Sequence, residues 1–107
     1  MADLFELHDG EAVEKEVKGD YWEKNMGLYS QKTGKYWFTN ERIIFRGGFA
    51  VALDVSYSEI EAVSLCNVGP FVQFLPTGIK VKMKDGKSYK LSVLKRKELL
   101  NFIKSKL

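Results

Sequence analysis

Near the middle of the chain lies the stretch that decides its fold, Gly34-Lys35-Tyr36-Trp37-Phe38-Thr39-Asn40-Glu41-Arg42-Ile43-Ile44-Phe45-Arg46. Aromatic and β-branched residues lie on both sides of its centre, and such residues favour strands. The polar residues between them favour a tight turn, since an asparagine such as Asn40 tolerates left-handed backbone. We therefore predict two antiparallel strands joined at Asn40 and Glu41, and we call residues 34–46 the central hairpin.

A turn at this position decides which side chains share a face of the sheet. Directly opposed residues lie on the same side. One apolar face is thereby predicted to contain Tyr36, Phe38, Ile43 and Phe45. We expect this face to belong to the core. The other face carries Trp37 and Ile44 among polar and cationic side chains, so these two residues are interface candidates unless the domain itself covers them.

The central hairpin closely resembles the signature of GRAM domains, which belong to the pleckstrin-homology-like superfold. That signature runs Gly, a basic residue, an apolar-aromatic-apolar triplet, Thr-Asn, any residue, Arg, two aliphatic residues and Phe, and residues 34–45 match it position by position. Shorter matches occur in the right order along the chain, among them Gly10-Glu11, Pro76-Thr77-Gly78-Ile79 and Asp85-Gly86-Lys87. The resemblance implies a mainly β fold, with about seven antiparallel strands in two bent sheets that close into a barrel capped by a C-terminal helix. It also implies lipid or protein binding.

A chain of 107 residues has room for one domain, which we place over residues 1–107. Residues 1–9 form a lead-in, and residues 95–107 form the capping helix, because their apolar side chains fall on one stripe. We expect further strands at residues 11–18, 49–57 and 60–66. A bend is predicted at Gly19 and Asp20, followed by an irregular polar connection over residues 25–34.

Several kinds of chemistry have no support in the sequence. One cysteine and one histidine exclude an intramolecular disulfide and a Cys/His zinc cluster of the usual kind. The glycine spacing does not fit a phosphate-binding P-loop, and the acidic residues show no paired-carboxylate arrangement. We therefore expect no enzyme, no metal and no cofactor. The start of the chain lacks the features of a signal peptide, so we expect a cytoplasmic protein, peripheral at a membrane if it binds lipid.

Charge is divided between the two ends of the chain. Residues 1–23 hold eight acidic residues and two lysines, whereas residues 79–107 hold ten basic and two acidic residues. A separated positive field can steer an anionic partner. Equally, the acidic segment can lie against the basic one and neutralise it. The sequence leaves both interpretations open.

Residues 79–93 predict a second hairpin, with the three-residue loop Lys84-Asp85-Gly86. This loop keeps apolar residues together, and Gly86 supplies the left-handed position of a bulged turn. The resulting pairs are Val81 with Tyr89, Ile79 with Leu91, Lys80 with Lys90 and Lys82 with Ser88. Like charges opposed across strands are destabilising. Lys80 and Lys90 are therefore either well solvated or positioned to hold an anion.

Two sets of residues are candidates for binding. The candidate anion or lipid site consists of Lys80, Lys82, Lys84, Lys87, Lys90, Lys95, Arg96 and Lys97. The last three begin the helix, where N–H groups can bind phosphate although cations oppose the helix dipole, so ordinary surface is the alternative. The uncharged residues 67–78 add Phe71, Phe74 and Leu75, which either insert into a bilayer or a partner or fold back over the barrel.

These features predict a non-catalytic module that recognises an anionic membrane surface or a phospholipid head group. The alternative is a pleckstrin-homology-like scaffold for protein interaction or self-association, which would use Trp37 and Ile44 or the uncharged residues 67–78. Nucleic acid is not an expected partner, because the aromatic side chains of the second hairpin point inward and display no stacking platform.

Overall fold

The computed structural model describes residues 6–25, 28–47, 50–69 and 75–107. The elements are β1 (Val13–Asn25), β2 (Leu28–Thr39), β3 (Arg42–Gly47), β4 (Ala50–Ser56), a 3-10 turn (Tyr57–Glu59), β5 (Ile60–Val68), β6 (Leu75–Met83), β7 (Ser88–Val93) and α1 (Arg96–Lys104). The predicted architecture of seven antiparallel strands and one C-terminal helix is confirmed.

The seven strands form one curled sheet in the order β4-β3-β2-β1-β7-β6-β5. The sequence predicted two bent sheets closed into a barrel, whereas the observed sheet is continuous and forms a half-barrel. Strand β1 explains the difference, because it pairs with β2 along nearly its whole length and with β7 through residues 19–22. It thereby joins the two halves of the sheet.

The central hairpin has the predicted register and supplies the predicted core. Phe38 pairs with Ile43, and Tyr36 pairs with Phe45. All four side chains are fully buried in the cluster that fills the inner face of the sheet. The helix closes this face with Leu99, Leu100 and Ile103. We call the opposite side of the sheet its outer face.

The first two strands are present as predicted, but both are longer than the sequence indicated. Strand β1 continues through Gly19, and β2 begins at Leu28 where the sequence indicated an irregular connection. Gly19 and Gly34 pair across the two strands. A Cβ at Gly34 would lie 2.1 Å from the Arg46 carbonyl oxygen, so this glycine serves the close approach of neighbouring strands. Long-range pairing here outweighs weak local strand propensity.

The second hairpin, which comprises β6 and β7 and is called the basic hairpin below, also has its predicted register. Ile79 pairs with Leu91, and Val81 pairs with Tyr89. Gly86 has a φ of 93°, as the bulged turn requires. The following helix has nine residues, and no helix in the described ranges is long and apolar enough to cross a membrane.

Candidate functional site

A row of outward-facing side chains crosses the middle of the sheet. Lys80 on β6 lies directly opposite Lys90 on β7, and Lys90 lies opposite Trp22 on β1. Since side chains alternate between faces along a strand, and Ile79, Leu91 and Tyr21 belong to the core, their neighbours point outward. The predicted juxtaposition of the two lysines is therefore present, and Trp22 stands beside it.

The basic hairpin carries little compensating negative charge. Lys80, Lys82, Lys84 and Lys87 are exposed, and Lys90 is half-buried. The Lys82 ammonium lies 3.2 Å from the Glu61 carboxylate. Within the described ranges, Lys80, Lys84 and Lys87 form no ion pair with an acidic side chain. Asp85 is the one acidic residue in positions 79–93, and its carboxylate accepts the backbone N–H of Lys87.

An open pocket of about 460 Å³ lies where β1 and β7 separate, beyond the last pair of their ladder. Its lining includes Trp22, Glu23, Lys80, Ser88, Tyr89 and Lys90. Trp22 is 5 % exposed, and its buried indole N–H has no hydrogen-bond partner among the residues that the structure describes. Sequence reasoning missed Trp22, because the β1–β7 register that brings it to Lys90 joins residues far apart in the chain.

The positive field of this region extends to the neighbouring thiol. Cys66 is partly buried on β5, and its backbone faces Gly78 on β6. Burial raises the pKa of the Cys66 thiol, while Lys90, Arg96 and Lys80 act in the opposite direction.

The basic residues at the start of the helix have a different environment. The Arg96 guanidinium donates to the carbonyl oxygens of Cys66, at 3.0 Å, and Gly78, at 3.4 Å. Arg96 therefore ties the helix to β5 and β6. Lys95 and Lys97 are exposed, and Lys95 has left-handed backbone with a φ of 56°.

The interface candidates on the central hairpin are covered within the chain. Trp37 is 7 % exposed and Ile44 is fully buried. The Trp37 indole N–H donates to the Glu16 carboxylate at 2.8 Å, and the Lys35 ammonium lies 5.5 Å from the centre of a Trp37 ring. These two residues therefore offer little surface to a partner. Leu75 is 37 % exposed, while Phe71 and Phe74 lie outside the described residues.

The tip of the central hairpin contains a buried ionic cluster that the sequence did not reveal. The Arg42 guanidinium donates to the Glu11 carboxylate at 2.8 Å, and the Thr39 hydroxyl donates to the same carboxylate at 2.6 Å. Arg42 also donates to the Asp54 carboxylate at 2.9 Å. The hydrogen bond from Arg42 lowers the pKa of Glu11 to about 2, although burial acts against this shift.

The same tip binds the segment that precedes β1. Asn40 donates to the Gly10 carbonyl at 3.2 Å, and its side-chain oxygen accepts the Ala12 backbone N–H at 2.8 Å. Arg42 donates to the Glu6 carbonyl at 2.5 Å. Thr39, Asn40 and Arg42, which carry the family resemblance, therefore hold residues 6–12 on the hairpin.

Within the described ranges, the ion pairs of the acidic N-terminal part are mostly with β2 and β3. Glu16 pairs with Lys35 at 3.1 Å, and Glu23 pairs with Lys32 at 3.4 Å. Over the described ranges, one ion pair joins the acidic first segment to the basic last segment, between Glu14 and Lys106. Neutralisation of residues 79–107 by the N-terminal part is therefore limited.

One group in the described part of the chain has the composition of a metal site. His8, Glu11 and Glu41 place their ligand atoms within 4.8 Å of one another. Both carboxylate oxygens of Glu11 already accept hydrogen bonds from Arg42, so this carboxylate is engaged in the ionic cluster of the tip.

Comparison with known proteins supports the fold and leaves function open. A scan against protein-family models and a search of curated proteins found no match. A solved structure, the C-terminal domain of an unknown protein from Leishmania infantum, superposes with a TM-score of 0.70 at 20% sequence identity. The match covers 92% of this chain and 85% of that chain. At this identity the likeness shows a shared fold alone.

Proposed function

We propose that this protein is a non-catalytic module of the GRAM type that binds an anionic membrane surface or phospholipid head group through its basic hairpin. The observation that carries the proposal is the direct opposition of Lys80 and Lys90 on the outer face. Like charges opposed across strands destabilise a sheet. An anion between them converts this repulsion into attraction.

The rest of the basic hairpin extends the same positive surface. Lys82, Lys84 and Lys87 are exposed around the opposed pair and the loop. Each basic residue near an anionic membrane surface contributes about 1 kcal/mol of binding free energy. Several such residues on one hairpin therefore suffice for reversible attachment.

A second opposed lysine pair provides a contrast within the same sheet. Lys18 on β1 lies opposite Lys35 on β2. Here Glu16 pairs with Lys35 at 3.1 Å, so a carboxylate of the protein offsets the repulsion. In the described part of the chain no acidic side chain forms an ion pair with Lys80, which favours this lysine and the exposed lysines beside it as the site at which an external anion binds.

The protein-interaction alternative has weaker support. Trp37 and Ile44 are covered within the chain, which leaves Leu75 as the described member of that candidate surface. We therefore place membrane or head-group binding first. A concentration series in light scattering tests the alternative, and a monomer at high concentration argues against self-association.

Vesicle sedimentation tests the proposed function. The wild-type protein should sediment with vesicles that contain phosphatidylglycerol and stay in solution with neutral phosphatidylcholine vesicles. The double variant Lys80→Gln/Lys90→Gln should bind the anionic vesicles roughly thirtyfold more weakly, since each lysine contributes about 1 kcal/mol.

The matched control is Lys18→Gln/Lys35→Gln, which removes the same net charge from the compensated pair. It should retain most of the binding. Equal loss in both double variants would mean that net charge alone governs attachment. Equal sedimentation with anionic and neutral vesicles would refute an electrostatic mechanism.

A further inference from the structure

The buried indole N–H of Trp22 is unusual for a polar group on this sheet. In the described part of the chain it has no hydrogen-bond partner, although the Trp22 side chain is only 5 % exposed. The other tryptophan of the chain, Trp37, donates its N–H to Glu16 at 2.8 Å. Buried donors are almost always paired, and an unpaired one calls for a specific explanation.

The surroundings of Trp22 supply that explanation. Trp22 lines the open pocket of about 460 Å³ together with Lys80 and Lys90. Lys90 is its direct neighbour across the β1–β7 ladder, and Lys80 follows on β6. Two cations and the side chain that carries the unpartnered N–H therefore line one pocket, which is large enough for a small ligand.

We propose that this pocket binds one phosphate monoester group, which contacts the ammonium groups of Lys80 and Lys90 and accepts the N–H of Trp22. The inference rests on the proposed function, because it assigns a ligand class to the same hairpin. It goes further in that it requires a discrete site with a fixed stoichiometry, whereas attachment to an anionic surface requires positive charge alone.

The donor set explains the choice of a phosphate monoester. Lysine ammonium groups and the indole N–H donate and never accept hydrogen bonds, so the complementary ligand must be rich in acceptors. A phosphate monoester has three terminal oxygens and carries more negative charge than the diester of a simple phospholipid. Charge-assisted hydrogen bonds to it are the strong kind.

Glu23 is the acidic residue in the pocket lining, and it provides a further test of phosphate binding. Its carboxylate lies 3.4 Å from the Lys32 ammonium, so its charge is partly offset. An anion in the pocket is still repelled by this carboxylate. The variant Glu23→Gln should therefore bind phosphate severalfold more tightly than the wild type.

The indole N–H resonances provide a direct readout. The chain has two tryptophans, so a 15N-labelled sample gives two indole signals, with Trp37 as an internal control. Inorganic phosphate is added at constant ionic strength, balanced with chloride. The Trp22 signal should shift and saturate, while the Trp37 signal should stay in place. No shift at Trp22, or parallel unsaturated shifts of both signals, would overturn the proposal.

Variants separate a phosphate site from general charge screening. In Trp22→Phe the N–H is lost while the aromatic ring remains, and the backbone amide shifts of the basic hairpin should report about tenfold weaker phosphate binding. In Lys80→Gln/Lys90→Gln the Trp22 signal should no longer respond. An unchanged affinity in both variants would refute the assigned contacts, and the dispersion of their amide spectra confirms that they are folded.

The final comparison distinguishes a lipid from a soluble ligand. Glycerol 3-phosphate is compared with phosphatidylcholine vesicles that contain phosphatidic acid, whose head group is a phosphate monoester. Binding of either ligand that weakens in Trp22→Phe supports the proposed phosphate pocket. Which of the two ligands binds then shows whether the phosphate group comes from a soluble molecule or from a lipid. The protein could sediment with phosphatidylglycerol vesicles while its Trp22 signal does not shift with phosphate. That result would overturn this inference and leave the proposed function standing. A Trp22 signal that shifts with phosphate, in a protein that does not sediment with vesicles, would support this inference and refute membrane binding.

Discussion

The two hairpins of this sheet handle charge in opposite ways. At the tip of the central hairpin, the buried Arg42 and Thr39 both donate to the Glu11 carboxylate, and Arg42 also pairs with Asp54. On the basic hairpin, Lys80 faces Lys90 across the strands. Complementary charge in the first hairpin stabilises the fold. Opposed like charge across strands in the second is unfavourable in general and produces a positive surface.

The position of each cation relative to solvent accounts for this difference. A buried cation needs a partner, because an unpaired charge away from water is strongly unfavourable. An exposed lysine needs none, since water solvates its ammonium group. The buried cation of the central hairpin is therefore constrained by folding, whereas the exposed lysines of the basic hairpin are not.

The largest expected difference in stability is between two variants that each remove one cation, one at each hairpin. Arg42→Met leaves the Glu11 carboxylate buried without its main partner, so the free energy of unfolding should fall by about 3–5 kcal/mol. Lys87→Met removes an exposed cation and should change it by less than about 0.5 kcal/mol. Urea denaturation measures both. Similar losses in the two variants would contradict the contrast between the hairpins.

Acid should weaken the central hairpin through Glu11. Its pKa is about 2 in the folded protein against 4.5 for the ordinary group, so the folded state binds fewer protons in this range. The stabilisation is complete above about pH 4.5 and is lost as the pH falls toward 2, by up to about 3 kcal/mol.

The variant Glu11→Gln tests this assignment. Its stability should be lower than that of the wild type at neutral pH and should fall less steeply on acidification. Glu16, whose pKa Lys35 also lowers, keeps some acid sensitivity in the variant. Wild-type and variant curves of unfolding free energy against pH that run parallel would exclude Glu11 as the main acid-sensitive group.

The smallest effect is a gain in stability on the basic hairpin. Lys80→Thr removes the opposed charge and adds a β-branched residue, so the free energy of unfolding should rise by about 0.2–1 kcal/mol. Lys82→Thr, two residues further along β6, instead loses the contact with Glu61 and should give no comparable gain. If Lys80→Thr destabilises the protein, the opposition of Lys80 and Lys90 carries no penalty.

The sequence predicted strand pairing correctly within the two hairpins, whose paired strands are neighbours in the chain. Both hairpin registers follow from turn chemistry and from matching apolar faces, and the structure confirms them. The candidate lysines of the basic hairpin were therefore placed correctly relative to one another. The family resemblance pointed to the same seven-stranded architecture with its C-terminal helix.

Long-range contacts were beyond a sequence argument. Trp22 reaches Lys90 through the pairing of β1 with β7, and Arg42 reaches Glu11 across 31 positions of the chain. The first half of the strand Leu28–Thr39 was not predicted, because its polar residues have a weak strand propensity and it forms a strand by pairing with β1. No local pattern indicates these partners.

The central claim is that anions bind at the basic hairpin and that the central hairpin is architectural. Titration of 15N-labelled protein with bicelles that contain phosphatidylglycerol tests this claim most directly, because every backbone amide reports on its own surroundings. The account predicts that the largest shifts fall in residues 79–93 and in the adjoining part of β1, with small shifts in residues 34–46. Shifts that are largest in residues 34–46, or spread evenly over the sheet, would contradict it.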